Sequence, residues 1–405
     1  VSSTGIELVD LVARWIHLIA GIMWIGNSLL FNWLDRNLNP AERHPQTPKP
    51  IGSIWLIHSG AFYYVEKTLL EGARVPQPLH WFKWQAYATW WSGLVLLLAV
   101  YYIGGRAVLS DPTLAPLSHS QAVSIGAAAI FGGWLLYEVM QRLVAPRAPR
   151  VAAVLWVVGL AAIAVGLTRL FDGRAALVHV GAMLGTIMAA NVVLTIIPSQ
   201  RALVQSVRGG GGEGAELSAR AKRVSIHNNY FTFPVIALML VGHFPAVYGH
   251  RLNWLLMLVL IAGGAGVRHV LNIRFDLGWW RPLLAATMGA TVIALVAILR
   301  SGAAAIALPS TGPVSFAEAR HVIDRRCAPC HSAAPSDLTF GPAPGGARYD
   351  TPEQIVAYAA RIRERAVVTR TMPPGNKTRI TEAERAVLGR WIEQGARAGP
   401  GQLPR

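Results

Sequence analysis

Residues 150–168 read RVAAVLWVVGLAAIAVGLT, one arginine followed by eighteen residues without a charge. As a helix, a stretch of this length rises to nearly the ~30 Å of a bilayer's hydrocarbon layer. In lipid every backbone N–H and C=O must pair within the protein, which a helix achieves by itself. The same pattern recurs on both sides of this stretch up to residue 300 and then stops. We read eight spans, near 7–34, 84–103, 121–141, 150–168, 175–197, 227–247, 252–272 and 282–300. The fold class that follows is all-α, a polytopic bundle of eight transmembrane helices. The first run reads as a span and not as a cleaved leader. No basic segment precedes it, and Arg14, His17 and Asn27 interrupt it.

Composition agrees. Of 405 residues, 53% are hydrophobic and 14% charged, against about 25% charged in an ordinary soluble domain. That excludes a soluble enzyme over most of the chain, and it excludes disorder and coiled coil. The net charge is 37 − 21 = +16, and its placement gives an orientation. One set of loops holds Arg36, Arg43, Lys49, Lys67, Arg74, Lys83, Arg142, Arg147, Arg150, Arg201, Arg208, Arg220, Lys222, Arg223, Arg274 and Arg281. The other holds Arg106, Arg169, Arg174 and Arg251. The rich side is cytoplasmic, so both termini are expected outside, in the periplasm of a bacterial inner membrane. The basic excess therefore faces a lipid bilayer, and nucleic acid is not an expected partner.

Two cytoplasmic loops stand out. Within 35–83, Ile54 to Lys67 forms two alternating runs around Ser59-Gly60, the pattern of a β-hairpin. Gly209 to Gly212 lacks the strand and the Lys-Ser/Thr of a phosphate loop and reads as a linker.

After the spans (domain 1–300) comes a linker, 301–314, and then a small polar domain, 315–405. Three capping signatures open three helices there: Ser315 with Glu318, Thr351 with Gln354, and Thr381 with Glu384. The first helix runs into Cys327-Ala328-Pro329-Cys330-His331, the attachment motif of a covalent haem c. Two thiols at this spacing can add to the two vinyl groups while the next histidine ligates iron. A redox dithiol would sit in a βαβ pattern, which is missing, and a zinc site would need further ligands, of which only His321 is near. Met372, 41 positions after His331 and the domain's one methionine, is the expected sixth ligand. His331 and Met372 are thus the metal ligands of a class I-type cytochrome c domain. Trp391 on the last helix should pack near Phe316 and Ile323.

Ionisable residues inside a membrane are costly and mark function. On the outer side lie Arg14, His17, His179 and His243. On the cytoplasmic side lie Glu138, Asn191, His227, Asn228, Asn229, Arg268, His269 and Asn272, with His58 on the hairpin nearby. A non-covalent haem b is an expectation for the outer group: two of His17, His179 and His243 as axial ligands, with Arg14 against a propionate. Such a relay would bridge a cytoplasmic substrate site and a haem outside.

The chain resembles the bacterial membrane-bound urate oxidase (urate hydroxylase) family, whose members join eight spans to a cytochrome c. The resemblance covers nearly the whole chain. It rests on His58-Ser59-Gly60-Ala61-Phe62-Tyr63-Tyr64-Val65-Glu66-Lys67 and on Leu79-His80-Trp81-Phe82-Lys83-Trp84. It rests further on His227-Asn228-Asn229-Tyr230 with Phe233-Pro234-Val235, and on Met372-Pro373-Pro374-Gly375-Asn376. It implies oxidation of the purine urate to 5-hydroxyisourate, with electrons passing to the cytochrome and on to a respiratory acceptor, a soluble cytochrome or terminal oxidase. Hydrogen peroxide would not form.

On this reading His227 is the first choice of base, with His269 and His58 as further catalytic candidates. Arg268, Asn228, Asn229 and Glu66 would bind the substrate. A second reading from another class fits the same composition: a membrane electron-transfer subunit of cytochrome b/c type, fed by a partner dehydrogenase or a quinol.

Overall fold

A computed structural model describes residues 3–40, 50–68, 75–103, 109–111, 114–209, 214–301, 312–337, 339 and 343–398. The Gly209–Gly212 run beyond Gly209 and linker residues 302–311 lie outside these. The long helices are α1 (Ser3–Asn37), α2 (Trp84–Leu97), α3 (His119–Val139), α4 (Pro149–Leu170), α5 (Gly173–Asn191) and α6 (Ile197–Gly209). They continue with α7 (Gly214–Val241), the single turn α8 (Pro245–Tyr248), α9 (Asn253–Ile273) and α10 (Trp280–Ser301). The chain then forms α11 (Phe316–Arg326), α12 (Pro352–Ala357), α13 (Ala359–Ile362) and α14 (Glu382–Glu393). Among the described residues the strands are two, β1 (Pro50–His58) and β2 (Ala61–Thr68).

Among the described residues, seven helical segments are long and apolar enough to cross a membrane. The eighth expected span, near 84–103, is a helix as well: α2 continued by a π-helical turn, Leu98–Tyr102. It falls short of the others because Gln85, Thr89 and Ser92 share its first half with aromatic rings. By length and composition the count is therefore seven, not eight. The outward faces are apolar. Leu11, Trp15, Leu18 and Ile22 on α1, and Met288, Val292 and Ile293 on α10, are all exposed. In water so continuous an apolar surface would drive association; lipid makes it neutral.

The hairpin forms as the sequence suggests. The strands pair antiparallel from Gly52↔Lys67 to His58↔Ala61. Ser59 and Gly60 turn the chain with φ of 52° and 76°, the left-handed pair that matches strand twist. The first strand starts four residues earlier than the alternation indicates, and Asn39 bridges to Ser53 at its base.

The chain divides into two compact units. The first comprises Val1–Leu96, Leu184–Val235 and Gly264–Thr287; the second comprises Leu97–Met183, Ile236–Gly263 and Met288–Arg405. In the first, Arg36 pairs with Asp276 at 3.0 Å and Lys67 with Asp35 at 2.6 Å. Gly264 lets α9 approach the α7 backbone at Phe233–Pro234, where a Cβ would lie 2.9 Å from the Pro234 nitrogen. Pro234 has no N–H to give the Tyr230 carbonyl, so the regular ladder of α7 is interrupted there.

In the second unit the three capping boxes open α11, α12 and α14 as expected, each with both reciprocal bonds. Trp391 is buried with Ile323 and Leu388, its ring 5.7 Å from that of Phe316. Residues 314–396 thus close a hydrophobic core of their own.

Candidate functional site

Two places collect the chemistry-bearing residues, one in each unit. In the first unit, α7 and α9 bring the Asn-Asn pair and Arg268 together. Arg268 is 4% exposed, and its Nε donates to Asn229 Oδ1 at 2.8 Å. Asn272, one turn on, donates to the same oxygen at 2.8 Å. The guanidinium lies 5.6 Å from the centre of the Phe233 ring.

Asn191 donates to Asn228 at 2.8 Å, and Asn228 donates to the Met188 carbonyl at 2.9 Å. The Tyr230 hydroxyl lies 2.7 Å from His269 Nδ1, with the two rings stacked. Among the described residues no carboxylate makes an ion pair with Arg268. A buried cation left without a counter-charge is expensive, and an anion from outside would offset that cost. The side-chain amide oxygen of Asn272 is also buried without a partner.

Of the expected site residues, Arg268 and Asn229 bond directly, Asn228 turns to Asn191 and Met188, and His269, next to Arg268 in sequence, is exposed and bonds Tyr230. His227 precedes Asn228 on α7 and is half-buried. His58 is exposed at the tip of the hairpin, and Glu66 accepts from Tyr64 and Thr68 within the hairpin. Glu138 is taken up by Arg142, at 2.5 Å in the next turn of its helix. Tyr230 was given no role from sequence, although it ends the segment His227–Tyr230 on which the resemblance rests; its partner is 39 residues away.

The outer histidines fall in different units. His17 Nδ1 donates to the Thr89 carbonyl at 2.8 Å, and its ring packs on Gly93. His179 is fully buried among Tyr101, Tyr102 and Phe171. Its Nδ1 donates to the Ala175 carbonyl at 2.7 Å and its Nε2 accepts from the Tyr102 hydroxyl at 3.0 Å. Both ring nitrogens of His179 thus have protein partners. Arg14, expected beside a propionate, pairs with Asp10 at 2.7 Å. His243 is exposed just past the end of α7.

In the second unit Cys327 caps α11, and the next turn carries Cys330 and His331, whose N–H groups both donate to the Cys327 carbonyl. Both cysteines are free. Burial pushes the Cys327 thiol up to about 12 and raises Cys330. A redox dithiol needs the opposite shift.

His331 Nδ1 donates to the Ala347 carbonyl at 3.0 Å. That bond places the proton on Nδ1 and the lone pair on Nε2. Burial lowers the pKa of His331, which keeps the imidazole neutral, as a ligand must be. Met372 is held by its backbone: its N–H donates to the Arg365 carbonyl and its C=O accepts from Arg385, both at 2.9 Å. Two thiols, a neutral imidazole aimed by its second nitrogen, and a thioether on a fixed backbone fit a haem c.

A family model described as Urate oxidase N-terminal matches residues 3–299. No curated protein and no solved structure matches the chain. The match covers most of the chain, α1 to α9, α10 up to residue 299 and both strands, so the chain belongs to the urate oxidase N-terminal family.

Proposed function

We propose, with membership of that family as the premise, that the protein is a membrane-bound urate oxidoreductase whose substrate site is the Arg268 cluster. Urate plus water would give 5-hydroxyisourate, two protons and two electrons. The observation that carries this reading is the buried, carboxylate-free guanidinium of Arg268 among amides. Urate is a planar anion with carbonyl and N–H edges. Arg268 would meet its negative edge through paired N–H donors, and the amides of Asn229 and Asn272 would orient the ring. His269, bonded to Tyr230, is the group able to take a proton from the bound ring. His227, half-buried beside Asn228, is the second candidate. His58 and Glu66, on the hairpin, are candidates for covering the site.

The electrons would leave through the C-terminal domain for a respiratory acceptor, without forming hydrogen peroxide. Haem c, when held by Cys327, Cys330, His331 and Met372, supplies a one-electron acceptor whose potential the thioether raises. Cys327 and Cys330 fix its position, and His331 is aimed by Ala347.

In the same reading the helix Trp84–Tyr102 is an eighth crossing. Its 19 residues reach nearly 30 Å at about 1.5 Å each. An even number of crossings puts both ends of the chain on one side, and the loop charges make that the outer, haem-attaching side.

The test is urate binding and oxidation by the purified full chain. Wild type is expected to bind urate and to consume it with an added electron acceptor. Arg268→Gln should weaken binding by roughly 10–100-fold, the worth of charged hydrogen bonds. Unchanged affinity in Arg268→Gln would remove the site from this cluster. Reduction by a quinol together with no response to urate would favour an electron-transfer subunit instead.

A further inference from the structure

Within the second unit, the loop that follows α7 packs against the turn that leads into Met372. Gly249, directly after α8, lies so close that an added Cβ would overlap the Thr369 carbonyl oxygen and sit 2.5 Å from Thr371 Cγ2. The first of these is backbone and cannot swing aside. Its neighbour Tyr248 is buried, with its hydroxyl near the Thr371 side chain.

This pair is anchored from the membrane segment. The Tyr248 carbonyl accepts from Asn253 Nδ2 at 3.0 Å, at the start of α9. The same carbonyl rests on Gly173 at the start of α5, where a Cβ would also overlap it.

The turn it meets is constrained in turn. Arg370 takes a left-handed conformation, φ 54°, which a non-glycine residue keeps only when its surroundings impose it. Thr369 Oγ1 donates to the Glu364 carbonyl at 2.7 Å and lies 3.1 Å from Thr371 Oγ1. Met372 follows immediately. A thioether is a weak ligand whose bond to iron depends on where the backbone puts it. Here one side of that backbone is set by Arg365 and Arg385, and the other by the membrane segment.

We propose that Gly249 and Tyr248 are positioning residues for Met372: the outer loop of the membrane segment holds the Thr369–Thr371 turn and, through it, the axial sulfur. The inference rests on the assignment of Met372 as haem ligand. Its consequence is that the potential of the C-terminal domain depends on its seating against this loop.

The experiment uses the full chain with its covalent haem, in detergent, and compares wild type, Gly249→Val, Tyr248→Phe, Thr371→Val, the Tyr248→Phe/Thr371→Val double variant and Met372→Ala. Four quantities are read: covalent haem on a denaturing gel, the sulfur-to-iron absorption band of the ferric form, the midpoint potential, and carbon monoxide binding by the ferrous form. Gly249→Val is expected to keep covalent haem, lose most of the sulfur band, lower the potential and admit carbon monoxide. Tyr248→Phe should shift the potential in the same direction by less, and Thr371→Val added to it should shift it no further.

Retention of the sulfur band and the wild-type potential in Gly249→Val overturns the proposal. If that variant does not accumulate, unchanged potentials in both Tyr248→Phe and Thr371→Val overturn it equally. Failure of the underlying assignment looks different: Met372→Ala would then keep the sulfur band, or wild type would carry no covalent haem.

Discussion

The Asp337 carboxylate accepts from Lys377 at 2.5 Å and from the Thr339 hydroxyl at 2.6 Å. These donors, Lys377 first, hold its pKa down at about 2, against 3.8 ordinarily. A depressed carboxylate stabilises the fold above its unfolded pKa, and that contribution is lost as pH falls through the window from 3.8 to about 2. The pair is partly exposed, so its worth is modest. Asp337→Asn should lower the melting temperature of the C-terminal region at neutral pH by up to about 4 °C. The difference should fade near pH 2, which thermal melts at the two pH values would check; an equal difference at both would assign the effect to packing. Arg268 is the opposite case at this scale. Its importance was legible from sequence as a charge inside a span, but its lack of a carboxylate partner was not, since partners come from other helices.

The three capping boxes and the hairpin were all legible in sequence, because each is closed by residues within a few positions of one another. The helix Trp84–Tyr102 is where sequence and structure part. It folds as a helix, yet Gln85, Thr89 and Ser92 make it less apolar than the other seven. The polar face has a use: the Thr89 carbonyl and Ser92 hydroxyl meet His17 at 2.8 and 3.2 Å, and the indole N–H of Trp90 donates to Thr186 at 3.2 Å. Internal partners offset the cost that these groups would carry in lipid. An outside-active reporter fused after Arg300 is therefore expected to be active, and one fused near Gly211 silent. A silent fusion after Arg300 would overturn the orientation and would put the cysteines on the side where haem c is not attached.

For the whole molecule, the proposal joins two chemistries on one chain, and covalent haem is its most direct check. Cys327→Ser or Cys330→Ser should abolish haem staining on a denaturing gel, while Met372→Ala should keep the stain and lower the potential. A stain that survives in both cysteine variants would overturn the assignment. The long apolar helices, their order and the Cys-x-x-Cys-His motif were legible in sequence alone, because hydropathy runs and a five-residue motif are local. So were the capping boxes and the placing of Trp391 beside Phe316. Only the tertiary structure decided which polar groups share a site. It joined Tyr230 to His269 and Arg268 to Asn229 across 39 residues, spent both nitrogens of His179, and seated Gly249 on the turn before Met372. Such pairings depend on how helices rotate and cross, which side-chain packing sets and no local pattern encodes.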